Sequence, residues 1–380
     1  MAAAALTETR AGRVVRQIDG YGAFVPVALP PDPPLAMESL QSALSHANLA
    51  LGRLDGIVDV IPDPNFFVAM YVRREAVLSS QIEGTQSTLE DLLEVELDQA
   101  PSRPPSDVGE IVNYVGAMNH GLGRLHDFPL SLRLIREIHA ELLRDGRGSQ
   151  ATPGEFRVTQ NWIGPAGAPL SQATFVPPPP HELADALSDF ERFLHDDVDD
   201  RLVQAGLAHA QFETIHPFLD GNGRVGRLLI TLLLVHHGVL RQPLLYLSHH
   251  FKRHRAEYYD RLTAIRQRGD WEGWMRFFLD GVATTAEEAK RTAEQIFALR
   301  EEHRALVIEN AGPNGLKLLS ALFRQPLINV RTATGALDVT FATANKLVGR
   351  FEELGLLREV TGRRRSRLFR YEPYLNLFDD

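Results

Sequence analysis

The stretch HPFLDGNGRVGRLLITLLLV, residues 216–235, runs from a polar loop into an apolar segment. Its first twelve positions hold one histidine, one aspartate, one asparagine, three glycines and two arginines. The next eight are apolar except for one threonine, which is typical of a helix inside a protein core. Glycines let the main chain approach an anion closely, and the start of a helix offers unpaired N–H groups and a positive dipole end. The stretch therefore predicts an anion site where a buried helix begins.

The two arginines of this stretch support the same interpretation. Arg224 and Arg227 are three positions apart and share one face of the first helical turn. Two cations at a helix N-terminus oppose the helix dipole, and a bound anion would remove that conflict. The alternative is a pair of solvated arginines beside a flexible turn.

The glycine spacing G-x-G-x-x-G, residues 221–226, also occurs in dinucleotide-binding folds. Those folds need an apolar strand before the glycines and an acid about twenty residues after them. The preceding residues are QFETIHPFLD, and residue 246 is a tyrosine. The pattern is therefore not that of a dinucleotide-binding domain.

A histidine and an aspartate share the loop with the glycines. His216 lies six residues before Asn222, which makes it a candidate general base, although a single histidine is more often structural. Asp220 could form a salt bridge with the arginines. Beside a triphosphate it is instead a candidate Mg²⁺ ligand, because Mg²⁺ usually takes one or two carboxylates together with phosphate oxygens.

The segment HPFLDGNGRVGR resembles the signature H-[PX]-F-x-[DE]-G-N-G-R-x-x-R of the Fic family, with every defining position filled. The resemblance implies a mainly α fold, with a Fic-type helical core and a β-hairpin flap. It also implies an enzyme that transfers AMP from ATP to a Ser, Thr or Tyr hydroxyl of a protein, itself included, and releases pyrophosphate.

The same resemblance assigns roles to residues of the loop. His216 resembles the base that takes the proton of the target hydroxyl, and Asp220 the acid that holds Mg²⁺ against the α- and β-phosphates. The remaining polar and glycine positions resemble the ATP and phosphate cradle: Gly221, Asn222, Gly223, Arg224, Gly226 and Arg227. The family places adenine near the later segment HFKRHRAEYYDRL, so His254 and Tyr258 are candidate ATP contacts. The alternative for the tyrosines is a helix with one aromatic side chain facing inward.

A second motif, SSQIEGT, spans residues 79–85 at the end of a predicted helix. Ser79, Glu83 and Gly84 resemble the inhibitory motif [ST]-x-x-x-E-[GN] of the same family. In that family the glutamate pairs with the second arginine of the loop, here Arg227, and blocks the seat of the γ-phosphate. The alternative is a surface glutamate before a glycine helix stop, although an acid in the last helical turn is disfavoured by the dipole.

Four segments follow from these patterns. We expect an extended, proline-rich arm over 1–36, an N-terminal helical region with the inhibitory helix over 37–126, and a Fic catalytic core over 127–308. A small winged helix-turn-helix domain is expected over 311–380. Apolar periodicity predicts helices over 37–55, 66–83, 108–126, 131–145, 181–195, 201–214, 223–237, 250–268 and 271–308. The stretch QAPSRPPSD, residues 99–107, interrupts this pattern, and Asp107 with Glu110 suggests a capping box for the next helix.

The flap is expected over residues 154–177, where the β-prone runs FRVTQNWI and ATFV flank a Gly/Pro loop. The resemblance implies that it docks target proteins by adding a segment of the target as a strand. Thr159, Gln160 and Asn161 suit an exposed edge. A purely structural hairpin remains the alternative.

The C-terminal segment differs in charge from the rest of the chain. Residues 311–380 hold 11 Lys/Arg and 7 Asp/Glu, a net charge of +4, so the remainder of this chain of net charge −9 carries −13. Three short helical patterns and two strands predict the winged helix. One face of its recognition helix is apolar, and the basic run RRRSR, residues 363–367, would lie on the wing where it could meet phosphates. DNA and a protein are both open as partners. The apolar face comprises Ala344, Leu347, Phe351 and Leu354.

Composition limits the class of protein. The chain has no cysteine, which excludes disulfides and thiolate metal sites. Its N-terminus lacks the apolar stretch of a signal peptide, and residues 228–235 are far short of the ~20 apolar residues of a membrane span. We expect a cytoplasmic protein without a membrane partner, and a homodimer is left open.

The leading interpretation is thus an autoinhibited protein adenylyltransferase, with ATP as substrate and Mg²⁺ as cofactor. A second one keeps the fold but has the enzyme remove AMP or use another nucleotide donor; the complete loop signature favours AMP transfer. A third is a DNA-binding regulator whose Fic core acts as a sensor.

Overall fold

The computed structural model describes residues 8–59, 64–97, 107–165, 167–363 and 365–378. Within them the chain is mainly helical, as predicted. The helices are α1 (Met37–Gly56), α2 (Pro64–Ile82), α3 (Leu89–Glu96), α4 (Val108–Arg124), α5 (Leu132–Leu142), α6 (Pro180–His195), α7 (Arg201–Ile215), α8 (Asn222–His236), α9 (Ser248–Arg253), α10 (Arg255–Arg268), α11 (Trp271–Arg324), α12 (Val330–Leu337), α13 (Phe341–Glu353) and α14 (Glu372–Leu375). The strands are β1 (Glu8–Thr9), β2 (Gly12–Arg16), β3 (Gly22–Pro26), β4 (Leu327–Asn329), β5 (Arg358–Glu359) and β6 (Leu368–Arg370).

Helices α7 and α8 form the centre of the core. The Asp200 carboxylate caps α7 by accepting hydrogen bonds from the N–H groups of Leu202 and Val203. Helix α8 is buried along most of its length and packs on α4, α5 and α7. Full burial of each leucine contributes about 1.5–3 kcal/mol, so the leucine-rich run fixes the start of α8 and the loop before it.

Helix α2 packs against α4, α9 and α11. It ends at Ile82, and Gly84 follows with a φ of 99°, a conformation that glycine adopts at little cost. The turn places Glu83 directly after the last helical residue.

The extended arm expected over residues 1–36 is wrong for residues 8–26, which form an antiparallel sheet in the order β1–β2–β3. Phe24 is buried and donates its N–H to the Val176 carbonyl at 2.9 Å. The Gln211 side chain donates to the Val27 carbonyl at 2.7 Å. These strands are short and depend on contacts with the core, which a local sequence pattern does not contain. Residues 1–7 lie outside the described residues.

The hairpin predicted over 154–177 is reduced to a single antiparallel bridge between Ile163 and Phe175. Gln160 and Asn161 use their side-chain amides to donate to main-chain carbonyls, and Asn161 is buried rather than at an exposed edge. Such side-chain bonds compete with the main-chain ladder of a hairpin. Thr159 is exposed, as expected.

Several helix boundaries differ from the prediction. The pattern over 250–268 forms two helices that meet at His254, and α3 was not predicted. Helix α11 continues beyond residue 308, with non-helical backbone at Gly312 in the AGPNG stretch. The Asp107–Glu110 capping box does not form, because the Asp107 carboxylate accepts from Gln86 N–H and the Ser87 hydroxyl instead. Residues 98–106 lie outside the described residues.

The C-terminal segment has a sheet in the order β4–β6–β5 beside α12 and α13. Helix α13 buries Ala344, Val348 and Phe351, whereas Leu347 and Leu354 of the predicted apolar face are only partly buried. The segment belongs to the same apolar cluster as the helical body. The rings of Phe378 and Tyr71, the latter on α2, lie 5.7 Å apart, and Arg370 forms an ion pair with Glu90 at 3.5 Å.

In the described part of the chain, every helix is too short or too polar to cross a membrane.

Candidate active site

The loop between α7 and α8 is held in a strained but well-supported conformation. His216 ends α7 with a φ of 49°, which is uncommon for a residue other than glycine. The Asn222 side chain accepts from Phe218 N–H and donates to Phe218 C=O, both at 2.8 Å. Asn222 therefore closes the loop with its side chain, and only its main chain remains for the anion cradle that was predicted for it.

His139 of α5, which sequence reasoning missed, supports the loop from below. Its ring stacks on Phe218 with centroids 3.7 Å apart. Its Nδ1 accepts from Gly154 N–H at 2.8 Å, and its Nε2–H donates to the Asp220 carbonyl at 3.0 Å. Burial lowers the pKa of His139 to about 4, so the ring is neutral and this tautomer is fixed.

The segment 154–177 holds the loop from the other side. Arg157 is buried and donates to the carbonyls of His216, Thr159 and Pro178. Asn161 donates to the carbonyls of His216 and Phe218 at 3.2 and 2.8 Å. Residues of the predicted flap thus fix the main chain of His216.

The His216 side chain is suited to accept a proton. Burial, together with the charges of Arg266 and Arg157, lowers the pKa of His216 to about 3. The imidazole is therefore neutral at pH 7. Its Nδ1 is shielded from solvent, and a main-chain hydrogen bond at Glu213 partly offsets the lowering of the His216 pKa. A neutral imidazole keeps one unprotonated ring nitrogen, which can accept a proton.

Asp220 offers a carboxylate at the mouth of the loop. The side chain is 42% exposed, and its Oδ1 accepts from Gly221 N–H at 2.6 Å and lies 3.7 Å from Arg224 Nη2. Its Oδ2 faces Gly148, where a Cβ would be only 2.8 Å away. One partly exposed carboxylate fits Mg²⁺ that takes its other ligands from phosphate and water.

Arg224 is almost fully buried, with 1% of its side chain exposed. Its Nη1 donates to Glu110 Oε2 at 3.1 Å. Glu110, on α4, also accepts from Arg147 Nη2 at 3.2 Å. The sequence suggested that Glu110 belongs to a capping box. Its pairing with Arg224 could not be predicted, because the two residues are 114 positions apart and leave no local pattern.

Arg227 is fixed by the SSQIEGT segment. Its Nε donates to Ser79 Oγ at 2.8 Å, and its Nη2 donates to the Ser79 carbonyl at 3.0 Å and to Glu83 Oε1 at 2.7 Å. Burial raises the pKa of Glu83, but Arg227 and Arg224 outweigh this effect and hold it below its ordinary value. The structure thus brings together the residues of the two sequence motifs, and Glu83 is ionised.

The Glu83 carboxylate also covers the start of α8. A Cβ at Gly223 would lie 2.3 Å from Glu83 Oε1, so only glycine leaves room for the carboxylate there. The carboxylate therefore occupies the space above the first turn of α8, where an anion would otherwise meet the N–H groups and Arg227.

Two further carboxyl groups, unnoticed in the sequence, lie buried behind the arginines. Glu75 accepts from the Tyr114 and Ser248 hydroxyls, and burial raises its pKa to about 7. Glu213 faces Gly226, and burial raises its pKa to about 7 as well. Acids within apolar helical stretches are the only sequence signal that could have revealed them.

The two predicted ATP contacts lie in different surroundings. Tyr258 is a core residue whose hydroxyl donates to His209 Nε2 at 2.9 Å, since the neutral His209 ring donates its Nδ1–H to the Gly226 carbonyl. The Tyr258 ring stacks on Phe251. His254 lines a separate cleft with Phe277 and Glu257. The adjacent Tyr259 is 39% exposed. Partial burial and the Glu83 carboxylate raise the pKa of Tyr259, and burial and the charge of Glu213 raise that of Tyr258.

Two consecutive regions of the chain are similar to known protein families. Residues 41–123 match the Fic/DOC family N-terminal region, and residues 129–234 match the Fic/DOC family. Three curated relatives are named protein adenylyltransferase Fic. The relative from Culex quinquefasciatus is 32% identical over 209 residues, 53% of this chain and 37% of the relative. The relative from Aedes aegypti is 28% identical over 261 residues, which are 67% of this chain and 47% of the relative. The relative from Drosophila grimshawi is 34% identical over 161 residues, which are 42% of this chain and 30% of the relative. The chain thus spans less than half the length of these relatives.

Two solved structures share the fold. A Fic family protein from Desulfovibrio desulfuricans G20 superimposes with a TM-score of 0.60 at 19% identity, covering 89% of this chain and 97% of that one. A Fic domain containing signaling protein from Bacteroides thetaiotaomicron VPI-5482 gives a TM-score of 0.50 at 16% identity, covering 67% and 95%. With its loop signature, these two matches and this fold, the chain carries a Fic/DOC family N-terminal region over 41–123 and a Fic/DOC family domain over 129–234.

Proposed function

We propose that the protein is an autoinhibited protein adenylyltransferase that transfers AMP from ATP to Ser, Thr or Tyr hydroxyls of target proteins and of itself. The observation that carries this proposal is the complete loop, in which a neutral His216 and the carboxylate of Asp220 lie at the anion-binding start of α8. The names of the curated relatives point in the same direction.

In the proposed reaction the oxygen of the target hydroxyl attacks the α-phosphorus of ATP. A bond forms between that oxygen and phosphorus, the bond from the α-phosphorus to the bridging oxygen of the β-phosphate breaks, and pyrophosphate leaves. His216 accepts the hydroxyl proton. Bound polyanion offsets the positive field of Arg266 and Arg157, which raises the His216 pKa towards a value useful for a base.

The rest of the site positions and neutralises the triphosphate. Asp220 would hold Mg²⁺, which supplies positive charge to the phosphate oxygens as charge develops on the leaving group. The main-chain N–H groups at the start of α8 face the same oxygens. In-line transfer of this kind depends mainly on positioning and charge stabilisation.

The resting state is closed by Glu83. The carboxylate holds Arg227 and covers Gly223, so ATP must displace it before its γ-phosphate can be bound by the arginine. This is the basis for proposing autoinhibition.

Target proteins would dock along residues 158–162. Within the described part of the chain these five residues form no main-chain hydrogen bond to another segment. Val158 is 85% exposed and Trp162 39% exposed. The carbonyls of Thr159 and Asn161 accept side-chain hydrogen bonds, but the main-chain N–H groups of this segment could pair with a target strand beside His216.

The proposal is tested by incubating the protein with Mg²⁺, a cell lysate and either α-³²P-ATP or γ-³²P-ATP. AMP transfer puts label from the α position into protein and none from the γ position. Label from γ-³²P-ATP would identify a kinase-like reaction and refute the proposal. Loss of label from a pre-adenylylated target would favour AMP removal, the alternative reaction on this fold.

A second activity is proposed for residues 311–380, namely DNA binding. Arg331, Arg365 and Arg367 line one cleft together with Thr332 and Asn345. Lysine and arginine side chains of this kind bind phosphates, and the affinity falls steeply with salt. An electrophoretic shift of duplex DNA at low salt that disappears in Arg365→Ala/Arg367→Ala supports this activity, and the absence of any shift refutes it.

We also propose a cytoplasmic location, which suits a chain without cysteine.

A further inference from the structure

An arginine outside both sequence motifs lies beside the phosphate-binding part of the loop. Arg147 belongs to the segment between α5 and residue 154, and its Nη2 donates to Glu110 Oε2 at 3.2 Å. The same oxygen accepts from Arg224 Nη1 at 3.1 Å. Two guanidinium groups on one carboxylate oxygen must lie close to each other, so Arg147 adds a second positive charge next to Arg224.

The segment that carries Arg147 is fixed against Asp220. Gly146 and Gly148, on either side of the arginine, have φ values of 82° and 87°, a backbone conformation that favours glycine. The side chain of Asn113 on α4 donates to the Asp145 carbonyl at 3.0 Å. Gly148 lies so close to Asp220 that a Cβ would be 2.8 Å from Asp220 Oδ2. The backbone therefore sets Arg147 on the side of the loop where Mg²⁺ and phosphate would bind.

Arg147 differs from Arg224 in exposure. The side chain of Arg224 is 1% exposed and Glu110 is 6% exposed, whereas Arg147 is 55% exposed. Its guanidinium can keep one nitrogen on Glu110 and offer the others to an anion in front of the loop, because arginine has five donors. Arg144, three residues earlier, is similarly exposed, and its ion pairs within the described residues are with the surface carboxylates of Glu141 and Asp145.

We propose that Arg147 is a phosphate-binding residue of this enzyme and contacts the pyrophosphate half of ATP, and that Glu110 is the positioning residue that orients Arg147 and Arg224. The inference rests on the proposed function, since it supplies the β- and γ-phosphates with a cation that the loop signature does not contain. In the transfer reaction the negative charge develops on this leaving group, where an oriented arginine stabilises it.

The test compares Arg147→Ala with its matched control Arg144→Ala, both in a Glu83→Gly background that opens the site. Calorimetry with ATP, AMP and inorganic pyrophosphate, each with Mg²⁺, separates phosphate contacts from contacts to the nucleoside. We expect Arg147→Ala to weaken ATP and pyrophosphate about tenfold and to leave AMP unchanged, as fits the loss of one charge-assisted hydrogen bond. Arg144→Ala should bind all three like the parent.

Equal binding of ATP and pyrophosphate to Arg147→Ala and Arg144→Ala would overturn the inference. So would a parallel loss of ATP and AMP with a lowered melting temperature, because that result indicates a structural role. Arg147→Lys should recover part of the pyrophosphate affinity, since it keeps the charge but not the forked geometry. Pyrophosphate binding that depends on Arg147, in a protein that transfers no AMP, would uphold the inference and reject the proposed function alone.

The role of Glu110 is tested by measuring kcat, the apparent KM for ATP and the melting temperature of a Glu110→Gln variant. Glu110→Gln keeps a hydrogen-bond acceptor but removes the charge that orients both arginines. We expect kcat to fall and the apparent KM for ATP to rise, with the melting temperature near that of the parent. A fall in melting temperature with kcat and KM unchanged would assign Glu110 a purely structural role.

Discussion

Removing the Glu83 carboxylate should convert the resting protein into an active one. Glu83→Gly deletes the 2.7 Å contact to Arg227 and clears the space above Gly223. Arg227 remains held by Ser79 through two hydrogen bonds, so its guanidinium stays in place with one side open. The γ-phosphate can then take the position of the carboxylate.

The size of the effect follows from the contacts. An arginine aimed at developing charge contributes about 10²–10³ in rate, so AMP transfer should rise by about 10² or more. The cost in stability is small. A hydrogen bond between charged groups contributes about 1.5–3 kcal/mol, reduced here because 32% of the Glu83 side chain is exposed to solvent. We expect the free energy of unfolding to fall by about 1 kcal/mol, which lowers the melting temperature by about 2 °C.

The assay is incorporation of α-³²P label into the protein and into lysate targets over time. Glu83→Gly/Arg227→Ala should lose the gain, because the arginine is the group that is released. Gln86→Gly, at an exposed position three residues later, controls for added backbone freedom and should behave like wild type. If Glu83→Gly labels no faster than wild type although it binds ATP, the Glu83–Arg227 pair is a structural ion pair and the autoinhibition proposal is wrong.

Three other predictions follow. His216→Ala should lose about 10²–10⁴-fold in transfer rate while calorimetry shows unchanged ATP affinity, and a rate near wild type would remove His216 from the role of base. Glu75 has a pKa of about 7 in the folded protein against an ordinary value of 4.5, so the folded state holds the extra proton and stability should fall as pH rises between about 4.5 and 7. In urea unfolding, Glu75→Gln should show a smaller fall than wild type but not lose it, because Glu213 has a similarly raised pKa. Identical pH profiles for both proteins would contradict the assignment. A truncated chain that ends at residue 310 should still transfer AMP. It should melt several degrees lower, because the truncation exposes the surface of Tyr71 on which Phe378 packs. A truncated protein that is soluble and helical but binds no ATP would refute this prediction.

Much of the fold was predictable because its signals are local. The apolar period of the helices is written into consecutive residues, and Gly84 and Gly312 marked breaks where the backbone leaves helical geometry. The N-terminal strands were missed because they are short and gain stability only from pairing and from the core. The flap was predicted as a hairpin because its β-prone runs could not reveal that Arg157 and Asn161 bind the loop instead.

Tyr258 and Tyr259 show most directly that a sequence pattern cannot tell which of two adjacent side chains faces the core. The two residues are adjacent, so on a helix they point in directions about 100° apart, and nothing local states which direction faces the core. The structure buries Tyr258 against His209 and leaves Tyr259 exposed.

The sequence by itself determined that a buried helix begins at the glycine-rich loop and predicted an anion site there, because the glycines, arginines and leucine run are consecutive and their physics is local. The resemblance of SSQIEGT to the inhibitory motif of the Fic family supplied Glu83 and Arg227 as a candidate pair. Only the tertiary structure decided that Glu83 and Arg227 do meet, that Glu110 holds Arg224, and that His139 supports the loop. Those pairings join residues far apart in the chain, and such contacts are fixed by how the helices pack rather than by any local pattern.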